Sequence, residues 1–190
     1  MIPETTRVAL QVIEILEELG ISYHVGGSFA SSIHGVPRQT RDLDLVVDLQ
    51  VGHVRHLVSR LEGDFYVDPE MIHSAIGRRG SFNIVHLASG FKVDMFCLKS
   101  GFFDRSEVKR RLRRSLLTDL PREVTVSSAE DTVLRKLEWY KIGGQVSERQ
   151  WLDVLGVLRI QGERLDRDYL EYWAEELELA DLLERALAEA

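Results

Sequence analysis

The chain has 190 residues and a mass of 21.7 kDa, which allows one domain or a small domain with an appendage and excludes two large domains. Hydrophobic residues make up 44% of the chain and charged residues 29%, a composition typical of folded rather than disordered or fibrous proteins. The single cysteine, Cys97, excludes an internal disulfide and a cysteine-rich zinc site, and it predicts a cytoplasmic location. No run reaches the roughly 18 apolar residues of a membrane span, so we expect no membrane contact.

The net charge of −7 comes from the C-terminal end of the chain. Residues 166–190 contain nine acidic and two basic residues, whereas residues 1–165 contain 22 of each sign. A neutral body is compatible with a polyanionic substrate without predicting one, because bulk charge bears on solubility and steering. The basic patch Arg105–Arg114 holds six basic residues and one acidic residue. It is either a solvated helix face or a contact for nucleic-acid phosphates or an acidic partner.

The first half of the chain alternates between helical and strand-like periodicity. In Thr5–Leu19 the apolar residues recur at three- and four-residue steps, which predicts an amphipathic helix. The elements expected after it are a strand Ile21–Val25, a short helix Ser28–Gly35, a strand Asp42–Leu49, a helix Val51–Leu61, a short helix after Pro69, and the strands Ser81–Leu87 and Phe91–Leu98 joined as a hairpin.

After Gly101 the pattern becomes mostly helical. The expected elements are the helices Phe103–Leu116, Ala129–Ile142, Ser147–Ile160 and Asp166–Leu187, with a β-like piece at Glu123–Val126. The fold class is therefore α/β (α+β), with a mixed sheet flanked by helices in residues 1–100 and a mostly helical region in residues 101–190. Because no linker separates the two halves, we expect the helical region to pack on the sheet.

Two predicted strands carry acids on one face. Asp42 and Asp44 share a face of the strand Asp42–Leu49, because alternate residues of a strand point to opposite sides. The same alternation gives Asp94 a polar face in Phe91–Leu98, so pairing of the strands would bring three carboxylates together, where their repulsion favours bound cations. Hard oxygen ligands favour Mg²⁺ or Mn²⁺. The solvent face of an ordinary sheet would give the same alternation.

The segment Val25-Gly26-Gly27-Ser28 ends a strand with two glycines and places a serine at the start of a helix. Such a turn lets the backbone approach a phosphate, with helix N–H groups and the Ser28 hydroxyl as donors. The same residues are also common in turns that bind nothing. Together with the carboxylates, however, the turn predicts a phosphate site followed within one strand by a metal site.

These residues resemble the DNA polymerase beta-like nucleotidyltransferase superfamily, whose pattern is a strand, Gly-[Gly/Ser]-Ser, a short helix, Asp-x-[Asp/Glu] on the next strand and a third acid on a later one. Gly27-Ser28 looks like the first element, Asp42 and Asp44 like the second and Asp94 like the third, so the resemblance covers residues 21–98. In the second half, the segments 128–137 and 147–153 resemble the Lys and Asp motifs of abortive-infection (AbiEii-like) nucleotidyltransferases.

The resemblance implies that a nucleoside monophosphate moves from an NTP, with ATP as the expected donor, to an acceptor hydroxyl while pyrophosphate leaves. Asp42, Asp44 and Asp94 would be catalytic metal ligands, with Asp94 either completing the metal site or accepting the acceptor's proton. The expected nucleotide-binding residues are Gly26, Gly27, Ser28, Arg38, Arg41 and Lys92. Lys136 is expected to be catalytic, with its ammonium free to reach toward the triphosphate.

Several alternatives remain open at this point. Three classes of acceptor are compatible with the sequence: RNA, a protein or a small molecule. RNA would be bound through Arg105–Arg114. The same fold could instead serve as a non-catalytic nucleotide- or partner-binding module, half of a toxin–antitoxin or regulatory pair with a cognate partner protein. A metal-dependent phosphohydrolase is the third possibility. We expect the aromatic residues of the helical half to lie in the core and in helix contacts rather than to stack on bases, namely Trp139, Tyr140, Trp151, Tyr172 and Trp173.

Overall fold

The computed structural model describes residues 3–40, 42–116 and 122–190. In these residues seven strands form one mixed sheet. In chain order they are β1 (Tyr23–Val25), β2 (Asp42–Val47), β3 (Phe65–Tyr66), β4 (Ser81–His86), β5 (Lys92–Cys97), β6 (Leu112–Ser115) and β7 (Glu123–Val126). Their spatial order is β3-β4-β5-β2-β1-β7-β6, which places β2 at the centre.

The strand pairing makes the sheet mixed. β2 runs parallel to β5 and antiparallel to β1, while β1 runs parallel to β7. β4 and β5 form the expected antiparallel hairpin. At the two edges of the sheet, β3 pairs antiparallel with β4, and β6 pairs antiparallel with β7. The mixed sheet flanked by helices confirms the predicted fold class.

Nine α-helices accompany the sheet in the described part of the chain. They are α1 (Glu4–Glu18), α2 (Gly27–His34), α3 (Val54–Leu61), α4 (Pro69–Arg78), α5 (Phe102–Arg110), α6 (Ala129–Ile142), α7 (Glu148–Gln161), α8 (Arg167–Glu176) and α9 (Ala180–Glu189). Short 3₁₀ turns at Val51–His53 and Gly162–Arg164 precede α3 and follow α7. No helix in these residues is long and apolar enough to cross a membrane.

Two hydrophobic clusters form the core. In the first, the fully buried face of β2 and β5 packs with apolar residues of α1, α3 and α4. The second cluster joins α6, α7, α8 and α9. α2 contacts β2 on one side and α6 and α7 on the other, so this short helix connects the sheet to the helical cluster. The side chains on the opposite face of β2 and β5 are only partly buried. The candidate active site described below lies on this face.

The two halves of the chain share the main core. Leu116, Val124 and Val126, which follow residue 100, are buried in the cluster formed by the sheet and the first four helices. The division of the chain into residues 1–100 and 101–190 stays a prediction.

Local sequence signals explain where the helices of the second half begin. The Ser128 side chain accepts a hydrogen bond from the N–H of Asp131 and caps α6, whose bounds agree with the predicted ones. Ser147 caps α7 in the same way by accepting from Gln150. Asp166 caps α8 by accepting from Tyr169. These caps satisfy backbone donors that would otherwise lack partners at the first turn of each helix.

Two predicted helices are wrong in extent. The helix predicted for 103–116 ends at Arg110, and residues 112–115 form β6, because Leu112 pairs with Val126 of β7 at the sheet edge. The single helix predicted for 166–187 is broken into α8 and α9. At the break Glu178 has a left-handed φ of 56° and Leu179 is 1% exposed, so the chain turns to bury this leucine and return α9 toward α7.

Candidate active site

Parallel pairing of β2 with β5 brings the predicted carboxylates together. Asp44 lies directly across from Asp94 in the register of the two strands, and Asp42 lies across from Lys92. The alternate residues of both strands are buried in the main core, so these four polar side chains share the opposite face. The sequence prediction that Asp94 lies beside Asp42 and Asp44 is confirmed by this register.

The turn between β1 and α2 lies directly against Asp44. The Gly26 N–H donates to the backbone oxygen of Asp44 at 2.9 Å, and the backbone of Ser28 lowers the pKa of the Asp44 carboxyl. Gly27 has a left-handed φ of 53°, and a Cβ placed on it would lie 1.8 Å from Oδ2 of Asp44. Glycine is thus required here both by backbone conformation and by space.

The Asp44 carboxyl lies in a concentration of negative charge. Burial raises its pKa, and the neighbouring carboxylates of Asp42 and Asp94 raise the pKa further. The ammonium of Lys136 and the hydrogen bond from Ser28 act in the opposite direction without cancelling this rise. The charged form of Asp44 therefore needs additional positive charge nearby.

Asp153 of α7 joins two of the predicted cations. Arg38 donates to both carboxylate oxygens, through Nε and Nη2, at 2.7 Å each, and Nζ of Lys136 donates to Oδ2 at 2.7 Å. The Nη2 atom of Arg38 also donates to the Ser28 hydroxyl at 2.7 Å. Burial opposes ionisation of Asp153, but the hydrogen bonds from Arg38 and Lys136 keep the pKa of its carboxyl below the usual value. One carboxylate between two cations leaves a net positive charge beside the start of α2.

The expectation of a free ammonium at Lys136 is wrong, because its side chain is 8% exposed and forms an ion pair with Asp153. Asp153 is not among the predicted site residues, although it ends the segment 147–153 that resembles the Asp motif. A signal for it exists, since Asp153 is the one acid within the otherwise apolar and largely buried run of residues 151–158. A buried acid in a helix is seldom left without a partner, and this one holds two.

Asp42 and Asp94 each have a partner already. The Thr40 hydroxyl donates to Oδ1 of Asp42 at 3.0 Å, and Nζ of Lys92 donates to Oδ2 of Asp94 at 2.7 Å, which raises the pKa of Lys92. Among the described residues, no three His, Cys, Asp or Glu side chains are already arranged to hold a metal ion.

A cavity of about 510 Å³ opens over this face of the sheet. One part of its lining consists of site residues from the start of α2, the loop after α2, β2 and α6, namely Gly26, Gly27, Ser28, Arg38, Asp42, Asp44 and Lys136. The predicted residues Lys92 and Asp94 are not among the lining residues. The structure therefore separates the candidates into seven that face one space and a neighbouring pair, Lys92 and Asp94, on the adjacent strand.

Arg135 forms the centre of an ionic cluster in the cavity wall. It donates to Asp104 and Glu107 of α5 and to Glu138 of α6 at 2.6 to 3.2 Å. Burial alone would raise the pKa of Glu107, but the imidazole of His24, whose Nε2 lies 3.4 Å from Oε1 of Glu107, and the charge of Arg135 lower it to about 2. Since Glu107 stays ionised throughout the neutral range, the cluster fastens α5 to α6.

The basic segment Arg105–Arg114 does not present one surface. Arg110 forms ion pairs with Glu130 and Asp166 at 3.2 and 3.4 Å, and Arg111 donates to the backbone oxygen of Tyr23 at 3.2 Å. Because the segment crosses from α5 into β6, its cations point in different directions and several stabilise the fold. The interpretation of this patch as one solvated helix face is therefore wrong.

The remaining predictions have mixed outcomes. Arg41 lies outside the described residues. Tyr140 and Trp151 are buried as expected, and the partly buried Trp173 packs against the second cluster. Trp139 and Tyr172 are 51% and 55% exposed, which contradicts the expectation of a core position.

Neither a protein-family model nor a curated protein sequence matches the chain. Several solved structures match the chain in fold. The lincosamide antibiotic adenylyltransferase LnuA with bound lincomycin has a TM-score of 0.55 at 13% identity, covering 84% of this chain and 98% of that chain. An antigenic nucleotidyltransferase-like protein from Paracoccidioides brasiliensis has a TM-score of 0.56 at 16% identity, covering 97% of this chain and 92% of that chain.

A third structure is ANT(2″)-Ia in complex with adenylyl-2″-tobramycin, with a TM-score of 0.51 at 13% identity, covering 96% of this chain and 97% of that chain. The chain has a nucleotidyltransferase fold. At these identities the likeness concerns the fold alone. The predicted superfamily fold is confirmed, while the AbiEii-like resemblance of the second half stays a prediction.

Proposed function

We propose that the protein is a nucleotidyltransferase that moves a nucleoside monophosphate from an NTP to an acceptor hydroxyl. In this reaction the hydroxyl oxygen forms a bond to the α-phosphorus, and the bond from that phosphorus to the oxygen bridging toward the β-phosphate breaks. The electron pair of that bond leaves with pyrophosphate, and the hydroxyl proton is lost to a base or to water. Such chemistry depends mainly on positioning and on neutralising charge.

The observation that carries the proposal is the packing of Asp44 against the turn before α2. A strand acid whose Oδ2 occupies the space of a Cβ at Gly27 places a carboxylate next to the N-terminus of a helix. Backbone N–H groups at a helix N-terminus favour phosphate oxygens, and carboxylates favour the cations that accompany phosphates. An ordinary sheet surface needs neither this contact nor a left-handed glycine.

The donor set fits Mg²⁺ or Mn²⁺. All three candidates are carboxylate oxygens, and the raised pKa of Asp44, caused by burial and by Asp42 and Asp94, marks a site short of positive charge. We assign Asp42 and Asp44 as ligands from the cavity and Asp94 as a third acid. When bound there, a divalent cation would stabilise charge on the phosphates and make the attacking hydroxyl more acidic.

Arg38 and Lys136 are proposed to bind the departing pyrophosphate. Both line the cavity, their shared partner Asp153 holds the two cations in place, and Arg38 also donates to the Ser28 hydroxyl. Cations held in place before the reaction stabilise growing negative charge without having to reorient. Lys92, by contrast, is paired with Asp94 and is proposed to set the orientation of that carboxylate.

The division of labour between the halves is part of the proposal. Residues 1–100 supply the carboxylates and the phosphate turn, and residues 101–190 supply Lys136 and Asp153 on helices packed against α2. The site therefore needs both halves.

A small-molecule acceptor is favoured over RNA or a protein. The cavity volume of about 510 Å³ lies in the range of small-molecule sites. The basic segment proposed for RNA has part of its charge engaged within the fold, since Arg110 and Arg111 are both paired. A non-catalytic module of a toxin–antitoxin pair remains the alternative, in which the nucleotide would bind and stay intact.

The proposal is tested with NTPs labelled at the α- or at the γ-phosphate, incubated with the protein, Mg²⁺ and a cell extract. Transfer predicts that α-label becomes attached to an acceptor while γ-label appears in pyrophosphate. Release of γ-label as inorganic phosphate by the protein itself would indicate a phosphohydrolase. Binding of intact NTP with no turnover in any fraction would favour the binding module.

A further inference from the structure

The part of the cavity beyond the carboxylates has an aromatic wall that the reaction described above does not use. Trp139 of α6 lines the cavity with 51% of its surface exposed, and its ring lies 6.2 Å from the ring of Phe96, centroid to centroid. Ile142, one turn further along α6, lines the same space and is 68% exposed. Large apolar side chains left open inside a cavity, rather than on a convex surface, indicate a ligand with an apolar face.

The other exposed aromatic side chains of the described residues are elsewhere. Tyr66, Phe102 and Tyr172 are all more than half exposed, but none of them lines this cavity. Trp139 is thus distinguished from them by position, and not by exposure alone.

The aromatic wall formed by Trp139 and Phe96 lies further along the same two elements that carry Lys136 and Asp94. Lys136 and Trp139 are three residues apart on α6 and line the same cavity, so they occupy one face of the helix about 4.5 Å apart along its axis. On the sheet, Phe96 follows Asp94 by two residues on the same face, about 6.6 Å further along β5. Both elements therefore lead from charged groups to aromatic groups in the same order. A single ligand with phosphates at one end and a flat ring at the other matches that order.

A polar atom in the lining of the same cavity has no hydrogen-bond partner among the described residues. Gln150 at the start of α7 lines the cavity, and its Oε1 atom is buried with no hydrogen-bond donor among the described residues. A buried acceptor without a donor is unfavourable, and rotation of the carboxamide toward a donor on a ligand would relieve it.

We propose that Trp139, backed by Phe96, is the stacking platform for the nucleobase of the donor NTP, and that Gln150 accepts a hydrogen bond from an N–H group on the edge of that base. This inference rests on the proposed nucleotidyl transfer. It adds a base subsite on α6 and α7 to the phosphate and carboxylate residues. Stacking tolerates any base because every base has a flat face, whereas the carboxamide contact distinguishes bases by their edges.

The test compares ligands with and without a ring. The affinities of the four NTPs and of inorganic tripolyphosphate, each with Mg²⁺, are measured for the wild type and for Trp139→Ala and Trp139→Phe. We expect Trp139→Ala to weaken NTP binding about tenfold or more and to leave tripolyphosphate binding within about twofold, because only the NTP carries a ring. Trp139→Phe should recover most of the NTP affinity.

The control variant is Tyr172→Ala, which removes an aromatic side chain of similar exposure outside the cavity. It should bind NTP and tripolyphosphate like the wild type. Equal NTP affinity for the wild type and Trp139→Ala would overturn the platform while leaving nucleotidyl transfer intact, and an equal loss for both ligands would assign Trp139 a structural role instead. Failure of the wild type to bind any NTP would overturn both proposals.

The role of Gln150 is tested separately with Gln150→Leu. This variant should narrow the spread of affinities among the four NTPs at least threefold, because the contact that distinguishes base edges is removed. An unchanged order and spread would exclude Gln150 from base recognition.

Discussion

Gly27 shows how a single residue determines the site. Its left-handed backbone and the 1.8 Å approach of Asp44 Oδ2 to its Cβ position leave no room for any side chain. Gly90, in the hairpin turn between β4 and β5, also has a left-handed φ, of 69°, but has nothing within 4 Å of a Cβ. A side chain at either glycine would therefore strain the backbone, but only at Gly27 would it also collide with the site.

Gly27→Ala should lower nucleotidyl transfer at least about 100-fold, since the added methyl group displaces the Asp44 carboxylate from the start of α2. Gly90→Ala should cost about 1 kcal/mol of stability from strain alone and keep its activity. Thermal unfolding and labelling from α-labelled NTP measure the two effects. Equal activity in the two variants would contradict the role given to this contact.

Asp42→Asn with Asp44→Asn should keep the free energy of unfolding at pH 7 unchanged or raise it. Burial and the neighbouring acids raise the pKa of Asp44 above its ordinary value of 3.8 in the folded protein, so its stabilising contribution is present below that value and is lost as the pH rises through the folded pKa. Neutral amides remove this loss. In urea unfolding from pH 3 to 8, the free energy of unfolding of the variant should exceed that of the wild type at neutral pH, and the difference should disappear toward pH 3. A variant that is unfolded at neutral pH would show that the two acids are structural.

Asp153→Asn should have the opposite dependence on pH. Although burial opposes ionisation, Arg38 and Lys136 lower the pKa of Asp153, so its contribution to stability is present above the ordinary value of 3.8 and is lost as the pH falls through the folded pKa. At pH 7 the loss should be about 3 kcal/mol, because two cations lose a buried partner. The same urea series measures it, and a loss that does not shrink on acidification would contradict the ion-pair account.

At the scale of elements, the segment from α5 to β6 shows why the periodicity of a sequence can mislead. Residues 105–114 contain mostly charged side chains, so no apolar spacing marks the end of the helix at Arg110. The change to a strand is determined by pairing of Leu112 with Val126, fourteen residues away, which no local pattern encodes. By contrast, α6 has a serine cap and clear apolar spacing, and its predicted bounds are those observed.

The cations of this segment should differ in their effect on stability. Arg110 pairs with Glu130 and Asp166 and its guanidinium lies 4.0 Å from the centroid of the Tyr169 ring. Within the described parts of the chain, the exposed Arg114 donates only to the backbone of its neighbour Arg113. Arg110→Ala should lower the free energy of unfolding by about 1 kcal/mol, and Arg114→Ala should stay within about 0.5 kcal/mol of the wild type. Urea unfolding measures both variants, and equal stability of the two would contradict the stabilising role given to Arg110.

For the whole molecule, the site could be predicted in part because it depends on short-range rules. Strand alternation places Asp42 and Asp44 on one face, and the glycine pair before Ser28 marks the turn. The pairing of Asp153 with Arg38 and Lys136 joins residues 115 and 17 positions apart, so it depends on how the helices pack against α2. The same packing leaves Trp139 exposed in the cavity, although its residue type and spacing are those of a core position.

The most direct test of nucleotidyl transfer compares three proteins in one labelling experiment with α-labelled NTP, Mg²⁺ and a cell extract. The wild type should attach label to an acceptor, and Asp42→Asn with Asp44→Asn should attach none while remaining folded. The control Asp48→Asn changes an exposed acid that follows β2 and accepts a hydrogen bond from Gln50, so it should label like the wild type. Labelling by the double variant at the wild-type rate, or no transfer of α-label by the wild type to any acceptor, would contradict the assignment of this site.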